Sequence, residues 1–370
     1  MNREVLKVGI IGASLNGSWG GTAHLPALQA LPDFKVTAIS TTRQASADET
    51  AEQFGIPHAF TDPYELARHP DVDLVTVAVK VPEHDRLVRT ALEAGKHVFC
   101  EFPLGRTTAE TANLLQAAEN QGVRHFVGLQ ARANPALNYV KDLVADGYVG
   151  EIRAVHCNYS VPVYPTRSKQ IDQAHEYLLE DANGANVLTI TAGHLLDGIM
   201  FMFGPFSELS AILRTQSVQV KVLETGAFIH PSSPDHVAVQ GILANGAVMS
   251  SQIRNTYKGN LLLEINGTEG DLLLVSEDNL MFQIDSFVVK GAQGEDRDFK
   301  ILPVPAQYDR VPQGLSAGSP AYNVAQLYQG IYRDLRDHTH KAPDFHTAMV
   351  IHELFDQIRA AAETGSVQQL

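Results

Sequence analysis

Few groups in this chain are able to move a proton, and their neighbours make them worth attention. His194 opens an apolar run, Leu195, Leu196, Ile199, Met200 and Met202, with Asp197 three residues on. On a helix that spacing lets a carboxylate orient an imidazole, which titrates near neutral pH and suits general acid–base work. Lys80 closes another apolar run, Ala78-Val79-Lys80-Val81-Pro82-Glu83-His84, where an amine can orient a hydroxyl. Tyr177 offers a phenol as proton donor or substrate clamp. His194, Lys80 and Tyr177 are therefore the catalytic candidates. Each has a plainer alternative: a histidine bonded at a helix start, a lysine on ribose or solvent, an exposed loop tyrosine. His338-x-His340 has no third ligand near it in sequence, so it reads as a surface helix end and no metal is expected.

A second set of residues suits a nucleotide. Gly9-Ile10-Ile11-Gly12, then Gly17, Gly20 and Gly21, lie between an apolar run and a helical stretch. Glycines there let the backbone approach a pyrophosphate at a helix N-terminus. The loop is about two residues longer than the usual G-x-G-x-x-G. Its candidate cofactor contacts are Gly12, Ser14, Asn16, Gly17 and Trp19. The next apolar run ends Ser40-Thr41-Thr42-Arg43 without the acidic residue that an NAD ribose favours. Hydroxyls and an arginine suit a 2′-phosphate instead, so Thr41 and Arg43 point to NADP ahead of NAD. Lys80, His84, Glu101 and Arg132 follow later apolar runs and complete the cofactor set.

The elements that must hold these groups read as two domains. Val5–Ile11, Lys35–Ser40, Asp73–Val79, His97–Cys100 and His125–Leu129 are short apolar runs alternating with helical stretches. That alternation predicts right-handed crossovers and a doubly wound parallel sheet, a Rossmann domain over residues 1–130. Residues 131–370 change character and predict an α+β domain for substrate and dimerisation, with a large, open, mainly antiparallel sheet. His236–Leu243 and Ala247–Arg254 flank Asn245-Gly246, which predicts a hairpin with a type I′ turn. Asn260–Ile265 and Asp271–Val275 form the next pair. Helices are expected at 193–203, about 321–338 and 346–363, the terminal two able to pack back on the first domain. The Pro-, Gly- and Ser-rich stretch 302–320 reads as an extended arm.

Composition narrows the class. With 370 residues, 44% hydrophobic and 19% charged, the chain can bury large cores. A net charge of −14 argues against direct binding to nucleic acid or anionic membranes. Cys100 and Cys157, without metal-type spacing, read as buried free thiols. The interrupted apolar start MNREVLKVGIIG does not read as a signal peptide, and no membrane span is expected, so a cytoplasmic location is the default.

GIIG, HLPAL (24–28), LEAGKHVFCE (92–101), GYVGEI (147–152), GHLLD (193–197), NGAV (245–248) and NGTEGDL (266–272) occur in one order along the chain. Together they resemble the landmarks of the Gfo/Idh/MocA oxidoreductases, the glucose–fructose oxidoreductase and inositol dehydrogenase group. The resemblance implies a lysine beside the nicotinamide in a Glu-Lys-Pro signature; here the residues are Glu101-Phe102-Pro103. It also implies an aspartate four residues before the histidine, where this chain has Ile190. Within that group the chain resembles the subgroup of the yeast galactose-pathway repressors, which shares the long loop with a tryptophan, like Gly17–His24, lacks the lysine, and has a pattern like Tyr177, Glu180 and Asn183-Gly184.

What the resemblance implies is an NADP- or NAD-dependent oxidoreductase acting on a sugar, polyol or related cyclic hydroxyl compound. His194, with Lys80 or Tyr177, would handle the proton; Asn158 and Tyr164 are weaker substrate-side candidates. The alternatives are a non-enzymatic, dinucleotide-binding transcriptional regulator and a redox-assisted glycosidase. A homodimer or higher homo-oligomer is expected.

Overall fold

A computed structural model describes Val5–Leu370 apart from Asn16, 163–168, Tyr257, 277–280 and Gln313. The chain forms two compact units. One comprises the residues up to Ala133 with Arg310–His352; the other comprises Asn134–Asp309 with Glu353–Leu370.

The first unit holds six strands: β1 (Leu6–Ile11), β2 (Phe34–Ser40), β3 (His58–Phe60), β4 (Leu74–Val77), β5 (His97–Cys100) and β6 (His125–Val127). They pair in the order β3-β2-β1-β4-β5-β6, all parallel. This is the doubly wound Rossmann order, with its switch point between β1 and β4. Near-continuous burial of Val8–Ile11 and Leu74–Val77 follows from helices covering both faces. The crossovers use α1 (Leu25–Gln29), α2 (Gln44–Phe54), α3 (Pro63–Arg68), α4 (His84–Glu93) and α5 (Thr108–Gln121). Thr107 caps α5 by accepting from the Glu110 amide, and Gly122 ends it in the left-handed region.

The second unit begins with α6 (Pro135–Ala145) and carries α7 (Gly193–Phe203). Its strands are β7 (Ile152–Val161), β8 (Gln170–Ile171), β9 (Phe206–Arg214), β10 (Val220–Val222), β11 (Phe228–Ile229), β12 (His236–Leu243), β13 (Val248–Asn255), β14 (Asn260–Gly267), β15 (Gly270–Ser276), β16 (Phe287–Gln293), β17 (Lys300–Ile301) and β18 (Gln368–Gln369). A nine-stranded sheet runs β17-β16-β15-β14-β7-β13-β12-β9-β18, antiparallel except where β7 pairs with β13. Val155, Cys157 and Tyr159 of β7 and Leu261, Leu263 and Ile265 of β14 bury one face, as strict alternation requires. Both cysteines are free and buried, as expected.

Helix α8 (Pro320–Asp337) belongs to the first unit, where Val324, Ala325, Tyr328 and Ile331 join the core built from Val8, Ile10, Leu28, Ile39 and Phe99. Helix α9 (Phe345–Thr364) runs from the first unit into the second. One sequence expectation needs correcting. The β12–β13 hairpin forms without a type I′ turn: Gly246 has φ 87, but Asn245 is not among the described residues with positive φ. Backbone bonds close a longer loop, Leu243 N–H to the Ala247 carbonyl at 2.9 Å and Gly246 N–H to the Leu243 carbonyl at 2.8 Å, while the Asn245 side chain accepts the Ala247 amide at 3.0 Å. The small sheet β11-β10-β8 was also not anticipated. Among the described residues no helix is long and apolar enough to cross a membrane.

Candidate functional site

The crevice lies at the carboxyl ends of β1, β2 and β4. Gly12 follows β1 with φ 99, and a Cβ there would collide with the Ala78 carbonyl. A Cβ on Gly21 would strike the Ser14 carbonyl. The loop between them is held by Ser18, whose Oγ donates to Ser14 O at 2.9 Å and accepts the Ser14 and Gly21 amides at 2.8 and 3.0 Å. A π-helical turn, Gly20–His24, then leads into α1. The glycines thus form a tight backbone cradle at a strand-to-helix junction, the shape a pyrophosphate requires.

Beside the cradle is a cavity of about 520 Å³ lined by Gly12, Ser14 and Thr41 from the expected set. Ser40 and Thr42, from the same hydroxyl run, line it as well, as do Thr61, Pro63, Arg86 and Leu87, which sequence reasoning missed. No carboxylate ends β2; Glu83 lines the wall, ion-paired to Arg86 at 3.0 Å. Arg43 is exposed at the start of α2, does not line the cavity, and its carbonyl accepts from Thr41 Oγ1 at 2.9 Å. Gly17 is exposed, Trp19 packs half-buried against the core, and Asn16 lies outside the described residues.

Lys80 is exposed just beyond β4, adjacent in sequence to cavity-lining Val79. His84 is buried, with Nδ1 2.9 Å from the Pro103 carbonyl and Nε2 3.1 Å from the Val79 carbonyl. Burial lowers its pKa, so the ring is neutral and has one N–H to share between two carbonyls. It ties the end of β4 to the segment after β5. Glu101 is 3.0 Å from His24 Nε2; His24 Nδ1 meets the Tyr328 hydroxyl at 2.8 Å, which meets Thr76 Oγ1 at 2.9 Å. Tyr328 of α8 thereby links β4 to His24 and, through it, to Glu101 after β5. Phe102 is buried, its ring edge-on to His352 at 6.2 Å. Arg132 sits half-buried in a 3₁₀ turn, Gln130–Ala133.

In the second unit a π-helical turn, Val187–Ala192, precedes α7 and is capped by Asn186 and Thr189. Such turns are enriched at functional sites. His194 is 2% exposed and Asp197 fully buried. Burial drives the His194 pKa down to about 3, so the imidazole is neutral at physiological pH and a weak base. Tyr177 lines a separate cavity of about 380 Å³ with Gln173, Glu176, Glu180 and Asn183, and burial raises its pKa, leaving it a donor. His194 and Asp197 do not line that cavity. Asn158 accepts from Arg254 at 2.6 Å, and Tyr164 lies outside the described residues.

Residues 6–129 match the oxidoreductase family with an NAD-binding Rossmann fold (Gfo/Idh/MocA), and residues 135–276 match the C-terminal domain of Gal80p. The chain is 24% identical to the galactose/lactose metabolism regulatory protein GAL80 of Saccharomyces cerevisiae, over 95% of this chain and 87% of that protein. It is 28% identical to levoglucosan dehydrogenase of Pseudarthrobacter phenanthrenivorans, over 72% of this chain and 73% of that one. The solved complex of a levoglucosan dehydrogenase with NADH and L-sorbose superposes with a TM-score of 0.85 at 23% identity, covering 98% of each chain. The chain thus pairs a first domain that matches the Gfo/Idh/MocA oxidoreductase family model with a second that matches the C-terminal domain of Gal80p.

Proposed function

We propose that this chain is a nicotinamide-dinucleotide-dependent oxidoreductase for a sugar, polyol or related cyclic hydroxyl compound, with Lys80 doing the work of the lysine that Phe102 displaces. The observation that carries this reading is the cradle at Gly12 and Gly21, where any side chain would meet backbone, beside a cavity walled by hydroxyls. The glycine loop would receive the pyrophosphate, and Thr41 and Thr42 the ribose. Arg86, with no carboxylate ending β2, favours NADP over NAD. A bound dinucleotide supplies the hydride acceptor.

The chain's own residues then orient the substrate and move its proton. Lys80 is the exposed amine at the β4 end, able to hold the reacting hydroxyl and exchange its proton. His194 of the second unit is buried and neutral, so it offers hydrogen bonding there rather than a strong base. The substrate class draws support from the levoglucosan dehydrogenase relative and from the L-sorbose in the related complex. A cytoplasmic homodimer belongs to the same reading.

A second reading, a dinucleotide-binding regulator without turnover, draws on buried Phe102, on Ile190, and on the Gal80p-like second domain. Incubation with NADP or NAD and a panel of sugars and polyols, following the absorbance of reduced cofactor, separates the two. Turnover that disappears in Lys80→Ala supports the enzyme. Binding with no turnover across the panel supports the regulator.

A further inference from the structure

We propose a transition-metal site at the edge of the parallel sheet, formed by His58, His69 and Asp71, that takes Zn²⁺ and clips the β3–α3 segment closed. Strand β3 is the sheet edge, three residues long and paired only with β2. Helix α3 carries the chain away, and His69 follows its last residue. The loop then returns: donor atoms of His58, His69 and Asp71 all lie within 4.8 Å of one another. His58 Nε2 is 3.7 Å from Asp71 Oδ2, and the two imidazole centroids are 4.0 Å apart. Two imidazoles and a carboxylate suit zinc and its first-row neighbours, not the oxygen-seeking Ca²⁺ or Mg²⁺. Ligand atoms at about 2.0–2.1 Å from a tetrahedral zinc lie roughly 3.4 Å apart, so modest side-chain rotations close the set.

Groups that are not ligands hold this loop. Lys96 Nζ donates to the His69 and Val72 carbonyls at 3.2 and 2.6 Å, and the Val72 amide donates to the His69 carbonyl at 3.1 Å. Thr37 donates to the Asp71 carbonyl. Lys7 Nζ donates to Asp71 Oδ1 at 2.7 Å, leaving Oδ2 toward His58 and holding the carboxyl below its usual range. Two features oppose an ion. The Lys7 charge repels it, and the Asp71 amide donates to His69 Nδ1 at 3.2 Å, a bond lost whichever ring nitrogen ligates. His58 and Asp71 side chains are 32% and 49% exposed, so an ion has access.

The clip has a structural consequence. Closing the loop from residue 58 to residue 71 adds a cross-link from the short edge strand β3 to the turn after α3, beyond the hydrogen bonds that already hold that turn. Thr61 and Pro63, inside that loop, line the crevice, so an ion would fix one of its walls. The site itself stands or falls independently of the dinucleotide reading.

The test is calorimetric titration of the chelator-stripped full chain with Zn²⁺, with Co²⁺ as a spectroscopic stand-in. One ion per chain, visible bands of low-symmetry Co²⁺ and a raised Tm are expected. His69→Ala and Asp71→Asn should each weaken Zn²⁺ binding about tenfold or more. Lys7→Ala should tighten it, because it removes a competing cation and keeps all three ligands. His340→Ala should leave it unchanged. No zinc uptake, or uptake indifferent to His69→Ala, overturns the proposal, as does weaker binding in Lys7→Ala.

Discussion

The crevice of the first unit and the His194 helix of the second occupy opposite extremes of solvation. The crevice is walled by hydroxyls and an exposed arginine, with exposed Lys80 beside it in sequence, and Gly12 in its lining has no room for a side chain. The His194 imidazole and Asp197 carboxylate are enclosed, and the imidazole stays uncharged down to about pH 3. At the two positions where the resemblance read from the sequence implies a lysine and an aspartate, this chain has Phe102 and Ile190. The two regions therefore differ in what they offer: an accessible crevice with room for a ligand, and a buried imidazole held neutral.

The comparison breaks most directly at Gly12. Gly12→Val places branched carbon against the Ala78 carbonyl at a positive φ, and should abolish dinucleotide binding and lower stability by about 1–3 kcal/mol. Calorimetry and urea unfolding read both effects. Next in size, Lys80→Ala should reduce any turnover by about 10²–10⁴-fold while leaving Tm unchanged, because the side chain is exposed. A Tm fall without a kcat loss would assign Lys80 to structure.

Burial of His194 makes a pH prediction of the opposite character. Its folded pKa, about 3, lies below the unfolded value near 6.5, so the unfolded state alone takes up the proton in that interval. Stability should therefore fall as pH drops below about 6.5, with about 2 kcal/mol lost from this group by pH 5. His194→Gln should flatten that part of the profile, measured by urea unfolding at several pH values; an unchanged slope would show the imidazole to be solvated. The smallest effects concern the phosphate. Arg86→Ala should weaken NADP about tenfold and NAD little, whereas Arg43→Ala should change either by less than about twofold. Equal loss of both nucleotides in Arg86→Ala would remove the preference for NADP.

Much of this was legible along the chain, for physical reasons. Buried parallel strands are apolar runs, so Val8–Ile11 and Leu74–Val77 identify themselves, and alternation in β12–β15 sets the second sheet. Asn245-Gly246 marked a turn but not its type, because backbone bonds close a longer loop from Leu243 to Ala247 in which Gly246, and not Asn245, takes positive φ. Strands β8, β10 and β11, two or three residues each, are too short to show a period. Gly12, Ser14 and Thr41 were readable because they follow strand ends directly. Thr61, Pro63 and Arg86 reach the same cavity from β3–α3 and α4, where no local motif marks them. The Glu101–His24–Tyr328 brace spans 304 residues between its histidine and tyrosine, and only folding reveals it. The His58–His69–Asp71 cluster is equally silent in sequence, since an intervening helix sets its spacing.

The crevice can be tested in one titration: calorimetry of the full chain with NADP, alongside Gly12→Val. Saturable binding of one dinucleotide per chain, absent from the variant, is the expected result. Wild-type protein that gives no binding heat with NADP or NAD at several temperatures, or a variant that binds as tightly as wild type, would contradict it.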